Sequence, residues 1–328
     1  MPANLTPEYM AAEEAYKAAK DPQEKLLCLE RMLSTIPKHK GTEKMQADLK
    51  RRIARTREAL EKRGGKKGFG ISVDSEGAAQ VVLVGATNSG KSALVEATTN
   101  ARVEVGDHPF STRLPVPAML PYENIQFQLV DLPPISREHM EYWVTTVIRN
   151  ADSALWVIDA SDPGFAAKIE EVTSVLAERK LQLIGPDARR GSPGEVVRRV
   201  PTLVIAGKMD EPTSAKILPE LRRQLEPEFE LLALSAMADP DLGAVGRQLF
   251  ALNRIVRVYS KAPGKEPNLS QPFIFHEGDE LMDFARKVHK DFAAKLSYAR
   301  VWGEGKFDGQ RVPRDHKLAD GDVIELRL

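Results

Sequence analysis

The chain contains one cysteine, Cys28, so it cannot form an internal disulfide. That usage suits a reducing compartment, and a cytoplasmic protein is the expectation. No run of residues is long and apolar enough to span a bilayer, which argues against a membrane protein. The first residues are acidic and lack the apolar core of a secretory signal. Net charge is absent too. Lys and Arg together number 47, as do Asp and Glu, so bulk charge points to no partner and DNA is not expected. Aromatics make up only 6% of the 328 residues, but 42% are hydrophobic, enough for two or three globular domains.

What is present centres on Gly85-Ala86-Thr87-Asn88-Ser89-Gly90-Lys91-Ser92, a full match to the phosphate-binding loop G-x-x-x-x-G-K-[ST]. The apolar run Gln80–Val84 before it reads as a buried strand, and Ser92–Ala97 after it as the start of a helix. A strand, a glycine turn and a helix N-terminus aim successive N–H groups at one anion. Gly85, Asn88, Ser89 and Gly90 supply the cradle. Lys91 reaches the outer phosphates, and the Ser92 hydroxyl serves Mg²⁺.

Around this loop the chain divides into residues 1–68, 69–253 and 254–328. The first part reads as a helical hairpin and linker. Pro7 and Pro22 each follow a capping residue at a first helical position, and Leu26, Leu29, Met32, Leu33 and Ile36 form one apolar face. Thr42 caps a second helix that ends at Gly64-Gly65, with a seam of Met45, Leu49, Ile53 and Leu60. From Lys38 to Lys67, twelve basic residues stand against four acidic ones, an excess that suits RNA phosphates as well as a solvated face. The middle part alternates strands and helices as a doubly wound α/β domain does. Its strands are read at Ile125–Val130, Ser153–Asp159, Thr202–Ala206 and Glu230–Leu234, with helices at Arg137–Asn150, Phe165–Arg179 and Leu242–Leu252. Leu181–Arg199, rich in Gly and Pro, reads as one long loop. The last part reads as four strands and one helix, Glu280–Lys287, in a β-grasp arrangement. His289, Asp291 and His316 are read there as surface residues.

Residues downstream of the loop narrow its use. Asp131, at a strand end, is placed for Mg²⁺, and Thr112 lies in a stretch able to fold over a nucleotide. Lys208-x-Asp210 follows a later strand. A carboxylate there accepts from the N1–H and exocyclic amine of guanine, a donor pair that adenine lacks. Ser235-Ala236 follows the next strand and can offer a backbone N–H to guanine O6. These residues together expect GTP or GDP as ligand and weigh against a P-loop kinase or ATPase.

With those motifs in place, nearly the whole chain resembles the Obg/DRG family of GTP-binding proteins, within it the DRG branch. Lys38-His39-Lys40-Gly41-Thr42-Glu43 resembles the start of the family's helical segment, and His108-Pro109-Phe110-Ser111-Thr112 its switch segment. Tyr298–Gly303 and Asp315-His316-x-Leu318-x-Asp320-x-Asp322 resemble the end of its β-grasp module, the TGS domain. The resemblance implies a cytosolic GTPase that works on ribosomes or RNA, often with a protein partner.

The chain departs from the family's pattern in several places, and Ser136-Arg137-Glu138-His139-Met140 replaces its usual glycine-rich segment. Pro134 stands where the family has the glycine of Asp-x-Pro-Gly, whose N–H meets the γ-phosphate, and proline has no N–H. Gly207 stands where the base motif has Asn, and the insertion before the base-reading strand is shortened. No glutamine follows Asp131 to orient water, so no catalytic residue is named. Families with a hydrophobic residue at that place resemble this chain, and they use an Asn at the position of Asn88 to hold K⁺. Two functions follow: a slow GTPase acting on ribosome or RNA, or a degenerate GTP-binding scaffold that does not switch.

Overall fold

The computed structural model of the protein describes residues 7–18, 22–36, 42–63, 73–98, 117–138, 140–188, 191, 195–238 and 240–327. The switch segment with Thr112, the Pro37–Gly41 connection and Gly64-Gly65 lie outside the described residues. The chain forms two units, Met1–Gly70 and Ile71–Leu328.

The described residues of the first unit form three helices, α1 (Pro7–Ala18), α2 (Pro22–Thr35) and α3 (Glu43–Arg63). Both expected prolines open their helices. The Thr42 carbonyl accepts from the Gln46 amide at 2.9 Å, which starts the first turn of α3. Leu29, Met32, Ile36, Leu49 and Ile53 bury together, as their spacing predicts. Tyr9 and Ala12 of α1 complete that core, so a third helix joins the expected hairpin. Lys50, Arg51, Arg52 and Arg55 lie on the opposite, exposed face of α3, where Arg52 pairs with Asp48 at 2.8 Å.

The second unit opens with β1 (Gln80–Val84), α4 (Lys91–Thr98), β2 (Pro117–Tyr122), β3 (Ile125–Asp131), α5 (Tyr142–Asn150) and β4 (Ser153–Asp159). It continues through α6 (Phe165–Glu178), β5 (Leu181–Ile184), β6 (Arg198–Gly207), α7 (Ser214–Leu225), β7 (Leu231–Ala233) and α8 (Leu242–Leu252). The sheet order is β2-β3-β1-β4-β6-β5, with β7 also on β6. All pairings are parallel except β2 with β3. Apolar layers cover both faces, which is why β1 and β4 are buried throughout and carry near-continuous apolar runs rather than alternating.

Several elements differ from the sequence expectation, among them the helix read at Arg137–Asn150, which begins only at Tyr142. Leu181–Ile184 is a strand, paired in parallel with Arg198–Pro201, so the loop is shorter than Leu181–Arg199. Strand β2 carries Pro117 and Pro121, which mask its pattern; an edge strand tolerates them because its outer N–H groups have no partner to lose. Helix α7 contains Pro219, yet it forms because Leu221 and Leu225 bury against the sheet.

The chain then builds a second sheet from β8 (Ile255–Ser260), β9 (Phe273–His276), β10 (Tyr298–Trp302), β11 (Gln310–Val312) and β12 (Asp322–Arg327). Helices α9 (Leu281–Val288) and α10 (Lys290–Lys295) lie between β9 and β10 in sequence. The order is β11-β10-β12-β8-β9. Phe284 of α9 packs on Phe273 and Phe275, closing the core on one face. His289 and Asp291 are exposed, as expected. His316 is not: its side chain is 20% exposed, and Nε2 is buried without a hydrogen-bond partner among the described residues. Its Nε2 lies 3.9 Å from Asp322 Oδ2, and the Lys306 ammonium is near enough to act on its charge.

Candidate functional site

Parallel strands put the described motifs at one edge of the sheet. The ends of β1, β3, β4, β6 and β7 carry Gly85, Asp131, Asp159, Lys208 and Ser235 respectively. Binding residues of open α/β sheets gather at these carboxyl ends.

The Gly85–Ser92 loop needs its glycines for two reasons. A Cβ on Gly85 would lie 2.4 Å from the Val157 carbonyl oxygen, so only glycine lets the loop pass β4 this closely. Gly90 has open space around it but a φ of +96°, which an L side chain rarely adopts. Asn88 sits exposed at the tip with φ +57°, a left-handed conformation that Asn tolerates. Ser89 is buried.

Lys91 folds back into the loop. Its Nζ donates to the Ala86 carbonyl at 2.9 Å and to the Gly85 carbonyl at 3.2 Å, with the Ser89 hydroxyl at 3.4 Å. Burial lowers the ammonium pKa to about 8, and the nearby Asp131 carboxylate offsets part of that fall. An anion brought to this site restores the solvation that burial removed.

The Ser92 hydroxyl donates to Asp131 Oδ2 at 2.7 Å. The other oxygen, Oδ1, is buried with no hydrogen-bond partner among the described residues. A buried carboxylate oxygen without a donor is costly. A hydroxyl beside a carboxylate with one unsatisfied oxygen is a hard-oxygen donor set, and it fits a hydrated divalent cation such as Mg²⁺.

At the other end of the site, Ser235 donates its hydroxyl to Asp210 Oδ1 and accepts the Met237 and Ala238 amides, each at 3.2 Å. The outer edge of Asp210 is exposed. The Ala236 N–H makes no hydrogen bond among the described residues. Lys208, at φ +58°, pairs with Asp159 Oδ2 at 2.6 Å. Burial pushes the Asp159 carboxyl up, but hydrogen bonds from Lys208 and Ser161 outweigh it and hold the group below its usual range. Asp159 was missed in the sequence; the only signal was an acid at a strand end. A Cβ on Gly207 would lie 3.6 Å from the Ser89 carbonyl oxygen, so the base motif abuts the phosphate loop.

Residues 80–185 match the family model described as a 50S ribosome-binding GTPase, and residues 256–327 match the TGS domain. An uncharacterized GTP-binding protein of Methanocaldococcus jannaschii is 28% identical, over 93% of this chain and 92% of that protein. The developmentally-regulated GTP-binding protein 2 homolog of Dictyostelium discoideum is 26% identical, and human developmentally-regulated GTP-binding protein 2 is 22% identical, each over 92% of this chain and 98% of the relative. This chain is a DRG-like GTP-binding protein. Its α/β unit is a P-loop GTPase domain, and its second sheet is a TGS domain. Among solved structures, the DRG-like chain is similar to a GTP binding protein from Pyrococcus horikoshii OT3, with TM-score 0.49 and 16% identity over 76% of this chain and 99% of that one. No helix among the described residues is long and apolar enough to cross a membrane.

Proposed function

We propose that this DRG-like protein binds GTP and GDP with Mg²⁺, hydrolyses GTP slowly, and works in the cytoplasm on the ribosome or another RNA, with a protein partner. The bond between Ser92 and Asp131, with Asp131 Oδ1 unsatisfied, carries the nucleotide reading. Gly85, Asn88, Ser89, Gly90 and Lys91 hold the phosphates. Ser92, Asp131 and Thr112 serve Mg²⁺. Lys208, Asp210, Ser235 and Ala236 read guanine. Mg²⁺ would neutralise charge that develops on the phosphates. Asn88 is the residue through which K⁺ would act. The exposed basic face of α3 and the TGS domain are the RNA-facing parts, in line with the ribosome-binding name of the family model.

Single-turnover phosphate release tests this, in K⁺ against Na⁺ and with ribosomes added. Slow release that ribosomes speed up is expected. Ser92→Ala is expected to weaken binding mainly by removing its Mg²⁺ dependence. Wild-type Mg²⁺ dependence in that variant would refute the assignment.

A second reading has its own observation. Pro134 offers no N–H, and the next residue, Ile135, is fully buried and bonded to Gly85. On this reading the chain holds nucleotide as a scaffold without switching, and no phosphate is released even with ribosomes.

A further inference from the structure

We propose that the open end of the TGS sheet binds single-stranded RNA, with bases stacking on Tyr298 and Trp302. This rests on the reading that the protein works on RNA, and it names the site and the form of RNA.

The argument begins with strand alternation. Ala299 and Val301 of β10, Val312 of β11, and Ile324 and Leu326 of β12 point into the TGS core. Side chains of a strand alternate faces, so Tyr298, Arg300, Trp302, Arg311, Glu325 and Arg327 belong to the other face. One end of that face is already covered. Ile255 of β8 and Ile274 of β9 pack with the GTPase-domain core, and Asn124 donates to the Tyr259 hydroxyl at 2.7 Å. At the β10–β11 end Arg300 and Arg311 are exposed.

Both rings at this end carry a cation. The Arg311 guanidinium lies 4.4 Å from the Tyr298 ring centroid, and Lys261 Nζ lies 5.3 Å from that of Trp302. Arg300 and Arg311 stand directly opposite each other across β10 and β11. Like charges in such register oppose folding, and neither makes an ion pair among the described residues. An anion on the face removes that repulsion. Glu325 stands opposite Arg300 on β12 but is buried and bonded to Arg327 at 2.7 Å, which leaves Arg300 and Arg311 as the exposed charges of this face. Phe307, in the β10–β11 connection, is 84% exposed.

Aromatic rings flanked by cations on an open sheet suit splayed bases and their phosphates. A duplex hides its base faces and would use only the charges. An acidic protein surface would likewise leave the rings without a role.

The test is fluorescence anisotropy of the full chain with a labelled unstructured RNA, and with the same strand in a blunt duplex, at low and physiological salt. Tighter binding to the single strand is expected. Trp302→Ala should weaken it about tenfold or more, and Trp302→Phe should restore most of it. Arg300→Glu with Arg311→Glu should lower affinity and flatten its salt dependence. GDP affinity serves as the folding control and should not move. Duplex bound as tightly as single strand would overturn the proposal. So would loss confined to a charge reversal of Lys50, Arg51 and Arg55 on α3, although the RNA reading itself would then survive. Failure of the wild type to bind either form would end both. Capture of an acidic protein through Arg300 and Arg311, without RNA binding, would also overturn it.

Discussion

The Ile135 amide donates to the Gly85 carbonyl oxygen across 3.0 Å, tying the segment after Asp131 to the first residue of the phosphate loop. Leu132 and Ile135 are buried in the core on either side of Pro133-Pro134. A segment anchored by packing and a backbone bond, with proline in place of a donor, has little to gain from a γ-phosphate. The expected result is a narrow gap between GTP and GDP affinity, with protection of the Ile135 amide that does not depend on nucleotide. Pro134→Gly restores a donor worth about 1.5–3 kcal/mol to a charged acceptor. It should raise GTP preference and speed hydrolysis. A wild type that already prefers GTP strongly, and hydrolyses it as fast as the variant, would show that another group senses the γ-phosphate.

Base choice is tested at Asp210. The Ser235 hydroxyl orients this carboxylate, so its exposed edge is set before nucleotide arrives. Asp210→Asn should weaken GTP by about 1.5–3 kcal/mol, the range of a hydrogen bond to a charged group, and favour xanthosine nucleotides. Competition binding with both nucleotides measures this. Unchanged GTP affinity would remove Asp210 from the site.

Arg257 joins the two parts of the second unit. It forks onto Asp320 at 2.8 and 3.0 Å, reaches Glu123 and Asn124 in the β2–β3 turn, and lies 4.9 Å from the Phe250 ring centroid. The bonds it donates to Asp320 are the main reason its guanidinium holds its proton more tightly than usual; burial opposes them and Glu123 adds to them. Arg257→Ala leaves two carboxylates without their cation. A fully buried pair would lose more, but Glu123 and Asp320 are partly solvated, so about 1–2 kcal/mol is expected. Arg257→Lys should recover only part, because an ammonium lacks the planar fork. Urea unfolding followed by tryptophan fluorescence reads this out, and an unchanged midpoint for Arg257→Ala would refute the joint.

The TGS domain should weaken in acid through His316. Burial first, and then the Lys306 ammonium, hold the imidazole pKa below its usual 6.5; Asp322 and Asp315 pull the other way without prevailing. In the unfolded chain His316 protonates near pH 6.5, before it does so in the fold. The unfolded state therefore binds more protons in that window, and stability is present above pH 6.5 and lost as pH falls through the folded value. An NMR titration of the ring should give a midpoint under 6.5, and His316→Gln should flatten the acid limb of the stability curve. A midpoint above 6.5 would reverse the sign and refute the prediction.

The phosphate loop, Asp131, Lys208-x-Asp210 and the TGS tail were legible because each is a short run whose residue types are dictated locally. Gly85 and Gly90 are required by backbone approach and φ, and Lys91 and Ser92 follow at fixed spacing on a helix N-terminus. The same holds for the α2–α3 core, where helical period alone places Leu29, Met32, Leu49 and Ile53 together. Strand β2 and helix α7 were not legible, because burial against the sheet outweighs prolines that local rules count as breaks. The unsatisfied Asp131 oxygen, the Asp159–Lys208 pair and the bond from Ile135 to Gly85 were decided only by the tertiary structure. The last two join residues distant in the chain, and the first depends on what packs around Asp131. Hydrogen-bond satisfaction and charge burial depend on which strands lie side by side, and residue order does not carry that information.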